Sequence, residues 1–191
     1  MLNNLNKYDV VLGSNSPRRR ELLNDMGVTF RVEAIKGIDE EYPATLPVEE
    51  IPVYLARLKA DGHPLKPNEL LITADTVVVL DETVLGKPTG EDDARRMLRA
   101  LSGRAHRVIS GVCVTTIDRR DSFADTSIVN FAPLTGEEID YYIKHYRPLD
   151  KAGAYGIQEW IGNIGIRGIN GDFYNVMGLP TRKLYQLLKT F

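Results

Sequence analysis

The segment Gly13–Leu23 (GSNSPRRRELL) holds two serines and three arginines where an apolar run gives way to a helical pattern. Ser16 suits the N-cap of that helix, and Pro17 suits its first position, where the missing N–H costs nothing. Free N–H groups at a helix start attract anions, and Arg18 and Arg19 place guanidinium groups beside them. A basic, solvated first turn is the alternative, although arginine is unfavourable at the positive end of a helix dipole without an anion. The segment therefore predicts a phosphate-binding helix start.

Asp75 lies in the middle of an apolar strand pattern, Leu70–Leu80 (LLITADTVVVL), which only Thr73, Asp75 and Thr76 interrupt. An ionised carboxylate is costly to bury unless a cation, a metal ion or several hydrogen bonds compensate it. We therefore expect Asp75 to face a polar cleft, where it binds a divalent ion or accepts a proton. The alternative is a purely structural ion pair with an arginine.

Two lysines are candidates for contacts with phosphate. Lys59 comes late in the helical pattern IPVYLARLKA, directly after Leu58, and can extend from the edge of the buried stripe. Lys87 lies between Gly86 and Pro88 in a rigid turn ahead of another helical pattern, where a fixed ammonium group can meet a phosphate. Taken singly, each is more often a solvated surface lysine, so the interpretation depends on the whole set.

An acidic loop, GIDEEYP, places Asp39, Glu40 and Glu41 shortly after Gly37. Such loops are usually solvated. If this loop folds over the same cleft as Asp75, one of its carboxylates can join Asp75 in holding Mg²⁺. That ion prefers oxygen ligands and is usually bound by one or two carboxylates together with substrate phosphates.

The segment Asp150–Trp160 (DKAGAYGIQEW) combines two glycines, Gly153 and Gly156, with Gln158. Glycine permits close backbone approach, and the glutamine amide can both donate to and accept from the edge of a nucleobase. A structural turn explains the glycines equally well, and the residues alone leave both interpretations open.

The order of elements predicts an α/β fold. Strand and helix patterns alternate over the first hundred residues, which favours a partly parallel sheet, and later patterns add an antiparallel hairpin. The predicted elements are a strand at Tyr8–Leu12, helices at Pro17–Met26 and from Thr89 with Asp92 in a capping box, strands at Ala105–Ile117 and Ser122–Phe131, a helix capped by Thr135 and Glu138, and a final helix at Thr181–Lys189. We expect one domain over residues 1–191, with a mixed sheet flanked by helices and two lobes around a central cleft.

Composition excludes several classes of protein. The 191 residues are 43% hydrophobic with a net charge of −2, which is typical of a globular domain and argues against nucleic-acid binding through a global basic field. No apolar stretch approaches the roughly 18 residues that span a membrane, so we expect a cytoplasmic protein. Cys113, the single cysteine, is expected to be buried and unreactive, and none of His63, His106 and His145 shows the spacing of a zinc ligand. Motifs of hydrolase triads, P-loops and dinucleotide sites are absent.

In order along the chain, the motifs SNSPRRRELL, GIDE, LARLKA, ADTVV, GKP, SGRAHRVISGV, DKAGAYGIQ and GDFYNVMGLP resemble the Maf family of nucleoside triphosphate pyrophosphatases, from about Val10 to Leu188. The resemblance implies hydrolysis of a nucleoside triphosphate to the monophosphate and pyrophosphate, with a divalent metal (Mg²⁺ or Mn²⁺), on a fold similar to that of the inosine triphosphate pyrophosphatases. It also implies a homodimer. Asp75 matches the family's catalytic carboxylate, and Glu40 matches the glutamate of its acidic loop. The matched phosphate-binding residues are Ser14, Arg19, Lys59 and Lys87.

The resemblance also implies a choice of substrate. The subfamily that acts on dTTP and UTP carries an arginine after the proline, a threonine after the aspartate and a glutamine in YGIQ, which here are Arg18, Thr76 and Gln158. The subfamily that acts on 7-methyl-GTP carries different residues at these sites. One departure is that Glu159 and Trp160 follow Gln158, where many members have glycine, which puts the shape of this loop in question.

The hypothesis is that water, activated by Asp75 or by a metal ion, attacks the α-phosphorus of an ordinary or modified pyrimidine nucleotide, and that pyrophosphate leaves. Three alternatives remain: a 7-methyl-GTP pyrophosphatase, a non-catalytic nucleotide sensor that regulates septum formation, and a nucleic-acid-binding module that uses the arginine cluster. The acidic overall balance disfavours the last of these.

Overall fold

The computed structural model describes residues 2–191, and in this range it contains seven strands and seven α-helices. The strands are β1 (Asp9–Leu12), β2 (Arg31–Val32), β3 (Glu69–Leu80), β4 (Thr83–Leu85), β5 (Ala105–Thr115), β6 (Arg120–Phe131) and β7 (Ile166–Asn170). The helices are α1 (Pro17–Asp25), α2 (Ile51–Asp61), α3 (Glu91–Leu101), α4 (Gly136–Tyr146), α5 (Trp160–Gly165), α6 (Phe173–Met177) and α7 (Thr181–Leu188). Short 3-10 helices lie at Asn3–Lys7, Pro148–Asp150 and Ala152–Ala154.

The strands form one mixed sheet with the order β2-β1-β3-β5-β6-β7, and β4 pairs with β3. Strand β1 is parallel to both β2 and β3, whereas the β3–β4 and β6–β7 pairs are antiparallel. Strands β5 and β6 are neighbours joined through residues 116–119, where the Thr116 N–H donates to the Arg119 carbonyl over 2.7 Å. The predicted α/β class, mixed sheet and hairpin are confirmed.

The chain divides into two compact units. The first unit comprises Met1–Thr76, Ser110–Asp125 and Gly178–Phe191, and the second comprises Val77–Ile109 and Thr126–Met177. A small core in the first unit contains Val11, Ala56, Ala60, Leu71 and Cys113. Burial raises the pKa of the Cys113 thiol, in agreement with the predicted buried cysteine.

The second unit has the larger core, in which α3 and α4 contribute Leu98, Leu101, Ile139 and Tyr142. Helix α4 begins with the predicted capping box: the Thr135 hydroxyl accepts from the Glu138 N–H, and the Glu138 carboxylate accepts from the Thr135 N–H. No helix among residues 2–191 is long and apolar enough to span a membrane.

The predicted capping box at the start of α3 is wrong. The helix begins at Glu91 after Gly90, which has no side chain to cap it, and Thr89 bonds to Asp93 rather than to Asp92. The Asp93 carboxylate accepts from the Thr89 N–H over 3.0 Å, and this bond lowers the pKa of Asp93. The physical reason is that the extended Gly90 is the N-cap, so the helix begins one residue later than the simple spacing predicts and its third residue is Asp93.

Candidate active site

The start of α1 has the predicted geometry of an anion site. Ser16 is the N-cap, and its hydroxyl accepts from the Arg19 N–H, while Pro17 occupies the first turn. The buried Ser14 hydroxyl accepts from the Ser16 N–H over 3.2 Å. Arg18 follows Pro17 in the first turn and is half-buried. Helix starts of this kind present backbone N–H groups and a positive dipole to an anion.

Arg19 is held firmly within the first unit. Its guanidinium donates to the Gly178 carbonyl at 2.9 Å, to the Ala74 carbonyl at 2.8 Å, to the Thr76 hydroxyl at 3.2 Å and to the Ser14 hydroxyl at 3.4 Å. Burial lowers its pKa, and the charge of the nearby carboxylates opposes that effect. A guanidinium has five N–H donors, so these four bonds leave one for a ligand. Arg19 therefore holds Gly178, Ala74 and Thr76 in position and keeps one N–H donor for a ligand.

Asp75, Lys59 and Glu40 form a compact charged group, here called the Asp75 cluster. The Lys59 ammonium lies 2.6 Å from the Asp75 Oδ1 and 3.1 Å from the Glu40 Oε2. The side chains of Asp75 and Lys59 are 13% and 14% exposed, and that of Glu40 is 52% exposed. Asp75 is thus neither sealed in the apolar core nor paired only with an arginine, and two carboxylates share one ammonium group.

The strand and helix that form this cluster are held together by close packing. Along β3, burial is interrupted only at Asp75 and Thr76, which marks the two residues that face a polar environment. A Cβ on Gly111 of β5 would lie 2.2 Å from the Pro52 carbonyl carbon, so only glycine lets the start of α2 approach this strand so closely. The Thr73 hydroxyl donates to the Ala56 carbonyl over 2.6 Å and fixes the same helix to β3.

Thr76 is supported on two sides. Its hydroxyl lies 2.8 Å from the hydroxyl of Ser110, which is buried on β5, and it also reaches the Gly178 carbonyl over 3.4 Å. Gly178 has a φ of +117°, a conformation that favours glycine, so its carbonyl can meet both Thr76 and Arg19. The first unit therefore brings together the predicted site residues Ser14, Arg18, Arg19, Glu40, Lys59, Asp75 and Thr76.

Lys87 and Gln158, the two other predicted residues, belong to the second unit. Lys87 is exposed in the turn after β4, and the carbonyl of the preceding Gly86 accepts from the Gly153 N–H over 3.0 Å. Gln158 is exposed and lines a pocket of about 500 Å³. The roles predicted for these two residues, like those of the residues in the first unit, stay predictions.

The loop that carries Gln158 is held in place by the side chain of the next residue, Glu159. Glu159, which departs from the family pattern, accepts from the Tyr142 hydroxyl, and its carboxylate lies 3.1 Å from the Lys151 ammonium. The Tyr142 hydroxyl also accepts from the Gly156 N–H over 3.0 Å. Burial and the neighbouring Glu159 raise the pKa of Tyr142, so this phenol stays a donor to the carboxylate. The residue after Gln158 therefore anchors the loop.

The first unit contains a second charged group that sequence reasoning missed, here called the Glu69 cluster. His63 Nε2 lies 3.1 Å from Glu69 Oε2, and His63 Nδ1 lies 3.8 Å from Glu33 Oε1. One ligand atom from each of these three residues lies within 4.8 Å of the others, as in a three-ligand metal group. However, Arg31 forms ion pairs with both Glu33 and Glu69, and the Lys66 N–H donates to Glu69 over 3.0 Å. Arg31 also pairs with Asp9, so its charge is shared, but each of these carboxylates already has a partner within the protein, which indicates a structural network.

Comparison with known proteins shows the family to which the chain is related. The sequence profile of the family described as "Maf-like protein" matches residues 9–191. The chain is 57% identical over 191 residues to a dTTP/UTP pyrophosphatase of Phocaeicola vulgatus, covering 99% of both chains. It is 54% identical over 195 residues to a dTTP/UTP pyrophosphatase of Porphyromonas gingivalis, covering 100% of this chain and 98% of that relative.

Solved structures support the fold independently. A HAM1 protein from Coxiella burnetii superposes with a TM-score of 0.51 at 15% identity, covering 96% of this chain and 100% of that one. The Ham1 protein of Staphylococcus aureus superposes with a TM-score of 0.50 at 14% identity, covering 96% and 97%. At such low identity the likeness concerns the fold alone. The family profile and the identity along the whole length show that this chain belongs to the Maf-like proteins.

Proposed function

We propose that this chain is a nucleoside triphosphate pyrophosphatase that hydrolyses dTTP and UTP to the nucleoside monophosphate and pyrophosphate. The observation that carries the proposal is the Asp75 cluster beside Arg19 and the start of α1, in a chain that is 57% identical over its length to a dTTP/UTP pyrophosphatase. A triphosphate carries about four negative charges, so a site that cleaves it needs several cations close together.

Residues of the first unit are proposed to bind the phosphate groups of the nucleotide. The α1 N–H groups, Ser14 and the remaining donor of Arg19 bind phosphate oxygens, and the Lys59 ammonium adds a charge beside them. Lys87 is the phosphate ligand proposed for the second unit. Arg18, Thr76 and Gln158 are proposed to select the pyrimidine nucleotide.

The donor set of Asp75 and Glu40 fits a hard divalent cation, because both offer carboxylate oxygens within 3.1 Å of a common point, the Lys59 ammonium. When bound, Mg²⁺ or Mn²⁺ neutralises phosphate charge and polarises the phosphoryl group. The proposed step is in-line attack of water on the α-phosphorus, with cleavage of its bond to the bridging oxygen and departure of pyrophosphate. Asp75 is the catalytic carboxylate, as a cation ligand, as the base that takes the proton of the water, or as both.

The test is release of pyrophosphate from dTTP, UTP, CTP and 7-methyl-GTP with Mg²⁺ or Mn²⁺, with the nucleotide product identified by chromatography. We expect the highest kcat/KM for dTTP and UTP and monophosphates as products. A maximum for 7-methyl-GTP would overturn the pyrimidine assignment, and release of inorganic phosphate with a diphosphate would overturn the position of cleavage. Tight nucleotide binding without pyrophosphate release would identify a sensor instead.

The homodimeric state and the cytoplasmic location stay predictions. Size-exclusion chromatography with light scattering tests the first, because a homodimer has twice the 21.4 kDa mass of the chain. Fractionation of the producing cell tests the second.

A further inference from the structure

The acidic loop that carries Glu40 is anchored by two isoleucines. The Glu40 side chain is half exposed and lies 3.1 Å from the Lys59 ammonium, and such an exposed ion pair contributes little to holding a loop in place. Ile35 and Ile38 come shortly before Glu40, and both side chains are partly buried. The position of the loop therefore depends on what these two apolar side chains contact.

Both isoleucines pack against Gly62, the C-cap of α2. A Cβ at position 62 would lie 2.2 Å from Ile38 Cδ1, 3.0 Å from Ile38 Cγ1 and 3.2 Å from Ile35 Cγ2. The backbone of Gly62 has φ −77° and ψ −3°, a right-handed conformation that residues with a side chain also adopt. Glycine is therefore needed at this position for the space that it leaves to Ile38.

Ile35 also contacts the segment that leads into α1. A Cβ at Gly13 would lie 2.8 Å from Ile35 Cδ1, and Ser14 is the next residue. At the other contact, Lys59 precedes Gly62 by three residues, so the two are neighbours on one side of the end of α2. The acidic loop thus rests on the two segments that supply Ser14 and Lys59 to the candidate active site.

We propose that Ile38 is a positioning residue, which packs against Gly62 and thereby holds the Glu40 carboxylate beside Asp75 for binding of the divalent cation. The proposal rests on the proposed pyrophosphatase function and deepens it. Ile38 has no ligand atom, so it acts on the cation only through the position of Glu40. A side chain at position 62 forces Ile38 to move, and Glu40, two residues later, moves with it.

Calorimetric titration of Mn²⁺ without nucleotide tests this role in Gly62→Ala and in the double variant Gly62→Ala/Ile38→Val. Gly62→Ala is expected to weaken Mn²⁺ binding by about tenfold, the lower end of the effect of losing a residue that orients a metal ligand. Ile38→Val removes Cδ1, the atom nearest to the added methyl group, so the double variant should recover most of the affinity. Gly136→Ala, at the first residue of α4, is the matched control, because nothing lies within 4 Å of the added Cβ.

The same titration in Glu40→Gln shows whether the effect passes through Glu40. Adding Gly62→Ala to Glu40→Gln should cause no further loss of Mn²⁺ affinity, because the carboxylate that it displaces is already gone. An equal loss with and without the Glu40 carboxylate overturns the proposal. Unchanged affinity in Gly62→Ala, or no recovery in the double variant, overturns it as well.

Hydrogen exchange of the amides of residues 35–42 gives a readout that requires neither metal nor catalysis. Faster exchange in Gly62→Ala that returns to normal in the double variant, with unchanged thermal unfolding, supports the anchor, and unchanged exchange overturns it. At saturating Mn²⁺, kcat of Gly62→Ala for dTTP should approach that of the unchanged chain. Failure of the unchanged chain to release pyrophosphate would overturn the proposed function instead, and Mn²⁺ binding and hydrogen exchange would still decide the role of Ile38.

Discussion

The Asp75 cluster and the Glu69 cluster contain similar side chains in the same unit and differ in how their carboxylates are buried and held. In the Asp75 cluster, two carboxylates share one lysine, and Glu40 is half exposed. In the Glu69 cluster, several carboxylates also share one arginine, Arg31, but Glu69 is only 2% exposed and accepts from Arg31, from His63 and from the Lys66 N–H. A half-exposed carboxylate with one partner can take a cation from solution, whereas a buried one with several partners holds its own elements together. Burial and the number of protein partners, rather than the kinds of residue present, separate a candidate active site from a structural network.

The largest effect is expected from Asp75→Asn. It should lower kcat for dTTP by about 10²–10⁴-fold, since the amide neither accepts a proton nor carries the charge that holds a cation. The free energy of unfolding should fall by about 1–3 kcal/mol, because Asp75 and Lys59 are 13% and 14% exposed and the amide leaves the Lys59 charge with Glu40 alone. Steady-state kinetics and urea denaturation measure the two quantities.

The control for this substitution is Asp118→Asn, at an exposed position of the same unit, which should change neither quantity. Titration of Mn²⁺ into Asp75→Asn separates the two roles of the carboxylate: loss of binding indicates a ligand, and retained binding with lost turnover indicates a base. Near-native turnover of dTTP and UTP by a folded Asp75→Asn protein would contradict the assignment altogether.

Glu69→Gln is expected to lower stability and to leave catalysis intact. The substitution removes the charge of a carboxylate that is 2% exposed, while Arg31 is 37% exposed and keeps Asp9 and Glu33 as partners. We therefore expect a loss of about 1–3 kcal/mol in the free energy of unfolding, with kcat per folded molecule unchanged. A Glu69→Gln protein of native stability but low kcat would show that the two clusters have been assigned the wrong way round.

In these clusters, features with a local signal could be predicted from the sequence, and contacts between distant segments could not. Asp75 could be found because a carboxylate interrupts a long apolar strand, and this signal is local. Its contact with Lys59 depends on α2 packing against Gly111, a contact between distant segments that no local spacing reveals. The Glu69 cluster had no signal, because Arg31, His63 and Glu69 come from separate segments and none of them breaks a pattern.

The helix starts also differ in how much of their geometry a local pattern reveals. Thr135 and Glu138 could be predicted because both partners of a capping box lie within four residues. The start of α3 could not, because its N-cap is Gly90, which carries no capping side chain, and Thr89 lies one residue outside the helix and bonds to Asp93. Likewise, a glutamate after Gln158 looked like a departure, and only its contacts with Tyr142 and Lys151 show that it anchors the loop.

Glu40→Gln tests the more exposed part of the Asp75 cluster. Removing one of two carboxylate ligands should weaken Mn²⁺ binding by about tenfold, a smaller effect than that of Asp75→Asn, because Glu40 is half exposed and Asp75 stays in place. Calorimetric titration of Mn²⁺ in the absence of nucleotide measures this directly. Glu41→Gln, on the same acidic loop, is the matched control, and equal weakening in both variants would show that only the net charge of the loop matters.

The smallest expected effect is the pH dependence of the Glu69 cluster. Burial of Glu69 opposes ionisation, but hydrogen bonds from the Lys66 N–H and His63, together with the charge of Arg31, outweigh it and lower the pKa of Glu69 in the folded chain. A carboxyl group with a lowered folded pKa contributes stability that is fully present above its ordinary pKa of 4.5 and is lost as pH falls through the folded value. Urea denaturation between pH 6 and pH 3 should therefore show the unchanged chain losing stability faster than Glu69→Gln, so that the gap between them narrows in acid. A constant gap would mean that Glu69 acts through its shape and hydrogen bonds and that its charge is not what distinguishes the two clusters.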